Sequence, residues 1–316
     1  MYSKSKLANL QENISLSNHT TYRIGGPAKY FLVVKNKEEL IEAVIWAKEN
    51  SIPFFILGGG SNLLFADKGY GGLIIKMKNE EIIFSSKEED LEVNCGAGAS
   101  LAEILFEATS RGFGGLEWAL GIPGTLGGAV CGNAGRLGQD LAQAIVSVRI
   151  LDVNLMEKEI LASKCQFNYR DSRFKHNQEI ILGAKLKFIK QDKNKAEETL
   201  REAQRVIEKM PNFPSAGSVF KNYLVRQNDE LIKNHSEFQE KIQGGKLPAG
   251  FLIQQCGLAG RCLGGAKIWE NHANFILNVG GAKAEDILGL IELVKKTVKE
   301  KFDIILEEEI RYVGNL

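Results

Sequence analysis

The chain lacks an excess of charge of either sign: 40 Lys and Arg stand against 39 Asp and Glu, a net charge of +1. There is thus no electrostatic footprint for a nucleic-acid partner. No apolar run approaches the length needed to cross a bilayer. The first thirteen residues carry no apolar core of a signal peptide. No membrane partner and a cytoplasmic location are therefore expected. The five cysteines (Cys95, Cys131, Cys165, Cys256, Cys262) are odd in number and form no Cys-x-x-Cys pair. That argues against a disulfide framework and a structural zinc site, and for small reduced hydrophobes in the core. The four histidines (His19, His176, His235, His272) show no metal-ligand spacing, and no metal is expected. Internal repeats and low-complexity tracts are also missing.

What is present fits an ordinary soluble globular chain. With 316 residues, 44% hydrophobic and 25% charged, it can form two or three domains and bury a sizeable core. Tyr30–Val34 is β-prone, Glu38–Glu49 places Leu40, Ile41, Val44 and Ala47 at helical spacing, and Ile52–Leu57 reads as a buried strand. These three form a β-α-β unit. Further strands are expected at Leu73–Lys76, Leu91–Asn94, Val148–Asp152 and Ile180–Ile189. Ser100-Leu-Ala-Glu103 is a capping box opening a helix that Gly112 closes. Charge rises over Gln191–Glu202, a boundary signal, and Ala196–Met210 is amphipathic through Leu200, Ala203, Val206, Ile207 and Met210. Glu285–Phe302 is a strong helix, and Ile304–Val313 a last strand. Tyr223–Lys246 reads as a polar surface excursion.

The most informative segment is 121–135, Gly-Ile-Pro-Gly-Thr-Leu-Gly-Gly-Ala-Val-Cys-Gly-Asn-Ala-Gly, with six glycines and no charge. A second cluster, Gly58-Gly59-Gly60-Ser61-Asn62, follows the run Ile52–Leu57. Glycine is tolerated where something must approach the main chain closely. Two such loops suggest backbone N–H groups wrapped around a cofactor with a pyrophosphate; tight turns between packed strands are the plainer alternative. The Gly58–Asn62 cluster is not a phosphate loop, since no Gly-Lys-Ser/Thr follows. It is not a Rossmann fingerprint either, since Leu63 occupies the third glycine position, and Gly96-Ala-Gly98 fails likewise at Leu101.

Three other segments carry candidate chemistry. Tyr169-Arg170-Asp171-Ser172-Arg173-Phe174-Lys175 packs three cations into seven residues, and an arginine there could hold a carboxylate bidentately. Ser218, within Ala216-Gly-Ser-Val-Phe-Lys-Asn222, could serve proton transfer, and no G-x-S-x-G elbow surrounds it. In Leu306-Glu-Glu-Glu-Ile-Arg311, period 2 sends Glu307, Glu309 and Arg311 to one face and Glu308 to the other. An inward carboxylate there would need a partner.

Taken in order, Thr20-Thr-Tyr-Arg-Ile-Gly-Gly-Pro-Ala28, Gly58–Leu64, Gly121–Ala129, Gly132–Gly135, Tyr169–Ser172, Gly217–Asn222, His272–Phe275 and Glu309–Arg311 closely resemble the UDP-N-acetylenolpyruvoylglucosamine reductase (MurB) flavoenzymes. No long insert follows Tyr169, so the resemblance is to the short-insert class. It implies an α+β protein: an FAD-binding fold of the vanillyl-alcohol-oxidase type in two subdomains (1–78 and 79–192) and a C-terminal α+β substrate-binding domain (193–316). It implies non-covalent FAD, held by Tyr22, Arg23, Gly58, Gly59, Gly60, Ser61, Asn62, Gly121, Ile122, Pro123, Gly124, Thr125, Gly127, Gly128, Gly132, Asn133 and Gly135. NADPH is the implied reductant and UDP-N-acetylglucosamine enolpyruvate the substrate, met by Lys221, Asn222, Gln254 and His272. The catalytic positions carried over are Arg170, Ser218 and Glu309. A monomer is expected. An oxidase of the same FAD-binding fold, acting on a sugar or alcohol, is the alternative; many of those attach FAD through histidine, and neither glycine cluster contains one.

Overall fold

In the computed structural model, residues 7, 9–87 and 89–315 are described. Helix and strand are mixed throughout, as expected for an α+β fold. Contacts divide the chain into two units. The first holds the described residues up to Asn13 with Lys29–Gly59 and Gly72–Met210; the second holds Ile14–Ala28, Gly60–Gly71 and the chain from Pro211. The cut therefore runs through the first glycine cluster. It also assigns the charged helix to the first unit and two N-terminal segments to the second.

The first unit is built on two sheets. In one, Gln11–Ser15, Pro27–Val34, Tyr70–Met77 and Phe54–Leu57 are neighbours in that order. Phe54–Leu57 runs parallel to Leu73–Lys76, so Tyr70–Met77 lies between the two strands of the expected β-α-β unit. Their connecting helix, Lys37–Glu49, is opened by Asn36, whose side chain accepts from the Glu39 N–H at 2.8 Å. Of the expected strand Ile52–Leu57, only Leu57 is fully buried; Phe54, Phe55 and Ile56 are half-buried. The other sheet is antiparallel: Glu157–Leu161, Ile145–Leu151, Ile180–Lys190, Asp90–Gly96 and Ile82–Lys87, with Phe113–Gly114 pairing onto Ile180–Lys190. Half of the expected capping box is formed: Ser100 Oγ accepts from Glu103 N–H at 3.4 Å, opening Leu101–Ser110, and Gly112 follows at φ +83°. The charged helix is Lys193–Glu208. Its expected apolar face is only partly covered: Leu200 and Val206 are half-buried, Ile207 is 46% exposed, and the Ala203 side chain lies outside the described residues.

The second unit packs helix Ala284–Phe302 through Ile287, Leu290, Ile291, Val294 and Val298, all buried as their spacing predicts. Burying such side chains contributes roughly 1.5–3 kcal/mol each. Its N-terminal N–H groups are met from far along the chain: the Asp67 carboxylate accepts from Ala284 N–H at 2.9 Å and Glu285 N–H at 3.3 Å. A small antiparallel sheet joins Cys262–Leu263, Ala266–Ile268 and Ile276–Asn278. The expected strand Ile304–Val313 is a strand only at Arg311–Val313, which pairs in parallel with Leu63–Phe65. The Tyr223–Lys246 segment is more than an excursion. It contains helix Glu230–Asn234, closes through a Tyr223–Leu224/Lys246–Leu247 pairing, and buries Leu231 and Phe238 in the second core.

All five thiols are free, but they are not uniformly buried. Burial pushes Cys95 up to about 12 and Cys165 up to about 11, so both remain protonated, apolar fillers at neutral pH. Cys262, by contrast, is exposed. No described helix is long and apolar enough to cross a membrane.

Candidate functional site

In the first unit the turn at Gly58-Gly59 lies against the long glycine segment. A Cβ on Gly58 would stand 2.5 Å from Thr125 Oγ1, and one on Gly59 would stand 2.6 Å from the Gly124 Cα. Only glycine permits that approach. The Thr125 hydroxyl is buried and has no hydrogen-bond partner among the described residues. A buried unpaired hydroxyl costs free energy, so its presence beside this turn is what a bound acceptor such as a phosphate oxygen would explain. FAD fits here on that ground. The long segment itself differs from an open wrapping loop. Leu126–Gly132 is a short helix, and the Leu126 and Gly127 N–H groups already donate to the Ala99 and Ala97 carbonyls, each at 2.9 Å. Gly127 is thus a packing glycine: a Cβ there would meet the Ala97 Cβ at 2.8 Å. Gly121 and Gly124 take positive φ, +85° and +123°, flanking Ile122 and Pro123. Gly128 is exposed.

The end of this segment anchors the Arg170 turn. Asn133, left-handed at φ +42°, donates through Nδ2 to the Asn168 carbonyl at 2.9 Å and accepts from Ala142 N–H at 3.0 Å. Ser172 Oγ donates to the Cys131 carbonyl at 2.7 Å, and Arg170 Nη2 donates to the Gly135 carbonyl. Asn168 and Asp171 exchange both backbone hydrogen bonds, at 3.0 and 3.1 Å, closing a tight turn around Tyr169 and Arg170. Arg170 sits in that turn at φ +56°. A left-handed non-glycine residue costs of order 1 kcal/mol and persists only where its surroundings fix it. Here three side-chain bonds do so. The half-buried guanidinium is therefore held beside Gly135 with its direction set by the turn. Asp171 is held below the usual carboxylate range: burial raises it, but hydrogen bonds from His176 and the Ser172 N–H outweigh that.

In the second unit, Ser218 lies on a short extended segment gripped on both sides. Val219 N–H donates to the Asn274 carbonyl at 2.8 Å, and the buried Asn274 side chain bonds Phe220 N–H and the Phe220 carbonyl at 2.9 and 2.8 Å. On the other side Glu309 N–H donates to the Val219 carbonyl at 2.7 Å, and Lys221 N–H to the Glu307 carbonyl at 2.9 Å. Ser218 and Glu309 thus come from neighbouring segments, both half-buried. Asn62 joins them: its Nδ2 donates to the Glu309 carbonyl at 3.1 Å, and its own carbonyl accepts from Arg311 N–H at 3.0 Å. The expected facing of the three glutamates is only partly met. Glu307 is exposed and ion-paired with Lys221, while Glu308 is half-buried and paired with Lys295 at 2.8 Å.

Gly60 has φ +70°, and a Cβ there would stand 2.1 Å from the His19 carbonyl oxygen; Ser61 is half-buried beside it. Tyr22 is a core residue of the second unit, its hydroxyl buried and without a hydrogen-bond partner among the described residues, and Arg23 is exposed at φ +53°. Asn222 caps helix Ala249–Gln255 by accepting from Ala249 N–H at 3.1 Å. Gln254 and His272 are exposed, and His272 stacks edge-on with Phe275 at 4.9 Å. Among the described residues no group of three His, Cys, Asp or Glu could hold a metal.

The chain matches the FAD binding domain model over residues 28–154 and the UDP-N-acetylenolpyruvoylglucosamine reductase C-terminal domain model over 207–313. It is 38% identical to the UDP-N-acetylenolpyruvoylglucosamine reductase of Caldicellulosiruptor bescii, over 99% of this chain and 94% of that protein. The chain belongs to the UDP-N-acetylenolpyruvoylglucosamine reductase family. The enzyme of that name from a Synechococcus species is 37% identical over 97% of this chain. The crystal structure of the Thermus caldophilus reductase (MurB) superposes with a TM-score of 0.76 at 31% identity, covering 96% of this chain and all of that one.

Within this family member, sequence reasoning passed over Asn274 as a residue with a job. Its one signal was its place in the His272–Phe275 stretch, which names no partner for it. Replacing it (Asn274→Ala) leaves the buried Phe220 N–H and carbonyl without partners, at roughly 1–3 kcal/mol for each lost partner. Denaturant titration of the variant should show a loss of about 2–6 kcal/mol. An unchanged midpoint would mean that the Ser218 segment is held by other contacts.

Proposed function

We infer that the protein is an NADPH-dependent FAD enzyme that reduces the enolpyruvyl group of UDP-N-acetylglucosamine enolpyruvate to UDP-N-acetylmuramate. It acts as a cytoplasmic monomer in peptidoglycan precursor synthesis, and so in cell-wall biogenesis, cell shape and division. The near-full-length relationship to reductases of that name carries this reading. In it, residues 1–78 and 79–192 form the FAD-binding subdomains and 193–316 the substrate-binding domain.

Bound FAD supplies the hydride acceptor and donor, taking two electrons from NADPH and passing them to the substrate's double bond. The chain's own residues do the rest. Hydride arrives at the β-carbon, so negative charge grows on the carboxylate side as an enolate. Arg170 meets that carboxylate with a guanidinium fixed in direction before the charge appears, which is what electrostatic stabilisation requires. Ser218 gives its hydroxyl proton to the α-carbon. A serine is a weak acid, so it depends on the charge in front of it and on resupply of the proton. Glu309, on the adjoining segment, stands near the enolate. Lys221, Asn222, Gln254 and His272 bind the nucleotide sugar, and the two glycine clusters with Tyr22 and Arg23 hold FAD.

The test is a spectrum. The purified protein should be yellow, bleach with NADPH under anaerobic conditions, and recolour with the enolpyruvyl substrate. A colourless protein that binds no added FAD would refute the reading. The flavin should also be non-covalent, because neither glycine cluster contains histidine. Acid precipitation should then release all the colour to the supernatant, and flavin retained in the washed pellet would overturn that expectation.

A further inference from the structure

The strand Tyr70–Met77 is apolar and buried from Gly72 to Ile75, yet its next residue is a half-buried lysine, Lys76. A cation in such a place needs compensation, and among the described residues Lys76 has no carboxylate ion pair. Its ammonium instead donates to the Gly58 carbonyl. The register explains how it gets there: Lys76 lies opposite Leu57, the residue before the glycine turn. Peptide planarity then decides the neighbouring donor, since in a trans peptide the N–H points opposite to the C=O. Holding the Gly58 carbonyl toward Lys76 turns the Gly59 N–H away from it. The same turn closes on Gly124 and the orphaned Thr125 hydroxyl.

We propose that Lys76 is a positioning residue for FAD: it fixes the Gly58–Gly59 peptide so that the turn presents a donor to the cofactor's diphosphate, and its charge offsets that anion. The proposal rests on the reading that this turn meets the diphosphate. Burial, helped by the like charge of Lys78, keeps the ammonium below the ordinary lysine range, and the Glu80 carboxylate offsets this only in part.

The test compares FAD affinity of the apoprotein, followed by quenching of flavin fluorescence, in Lys76→Met, Lys76→Gln and Lys76→Arg, with Thr125→Val as the probe of the turn. Losing a hydrogen bond from a charged donor should weaken FAD binding roughly 10- to 100-fold in Lys76→Met. Lys76→Gln, which keeps a neutral donor, should lose less, and Lys76→Arg should stay close to wild type. Apo Lys76→Met should melt no lower than the wild-type apoprotein, while its stabilisation by added FAD shrinks. Unchanged FAD affinity in Lys76→Met and Lys76→Gln would overturn the proposal. So would an apoprotein that melts lower in step with the lost affinity, which marks a purely structural lysine. Thr125→Val keeps the shape and removes the orphaned hydroxyl. If it weakens FAD binding while Lys76→Met does not, the turn reading stands and Lys76 falls. If Thr125→Val and both Lys76 variants leave FAD binding unchanged, the turn reading falls with it.

Discussion

Ser218→Ala is expected to split the two half-reactions. Flavin reduction by NADPH should proceed at close to the wild-type rate, while reoxidation by the enolpyruvyl substrate should slow by about 10²–10⁴-fold, the range of a lost general acid. The substitution is clean because nothing in the fold leans on the hydroxyl. The segment is held by Val219 N–H, Phe220 N–H and the Phe220 and Val219 carbonyls, none of which involves the serine side chain. Among the described residues the Ser218 hydroxyl makes no hydrogen bond, and Gly217 before it carries the positive φ of +74°. Alanine should therefore leave stability and FAD content unchanged. Stopped-flow absorbance of each half-reaction checks this. Equal slowing of both would place Ser218 in binding rather than proton transfer, and wild-type reoxidation would remove it from the chemistry.

How far the sequence could be read depended on the range of the interaction. Helix Glu285–Phe302 and the Ser100 cap were legible because each rests on residues three or four apart. The motif glycines were legible as a set, and family order supplied Arg170, Ser218 and Glu309. What was hidden is non-local. Nothing around Asp67 shows that it caps a helix more than two hundred residues away. Nothing around Asn274 shows that it satisfies Phe220. The strand expected at Ile304–Val313 fails before Arg311 for a related reason: the Glu307 carbonyl and the Glu309 N–H each make a single bond to the Ser218 segment, at Lys221 and Val219, instead of forming a continuous ladder. The amphipathic pattern of Tyr223–Lys246 was too short to register, although Leu231 and Phe238 commit it to the core. Likewise Lys76 looks like a strand-end charge until pairing sets it beside Gly58.

Arg170→Lys is expected to be far from conservative. Backbone strain is the same for both residues, since lysine gains nothing over arginine at φ +56°. The turn should survive, because Asn133 and Ser172 still tie it down at Asn168 and Cys131. What changes is the head group. A guanidinium is planar with five donors in a fixed fork, so holding the Gly135 carbonyl through Nη2 also fixes the direction of the others. An ammonium is a point charge on a flexible stem. It can stay with Gly135 or turn to a carboxylate, but it does not fix one by the other. The loss should therefore be greatest where charge develops. Turnover should fall by about 10²–10³, the usual cost of one preorganised donor, and substrate affinity by less, because only stabilisation gained in the transition state speeds the step. Flavin reduction by NADPH should be near normal. Reoxidation traces at saturating substrate, with affinity measured separately, decide the matter: wild-type reoxidation in Arg170→Lys would show that charge alone suffices, and a loss confined to affinity would make Arg170 a binding residue only.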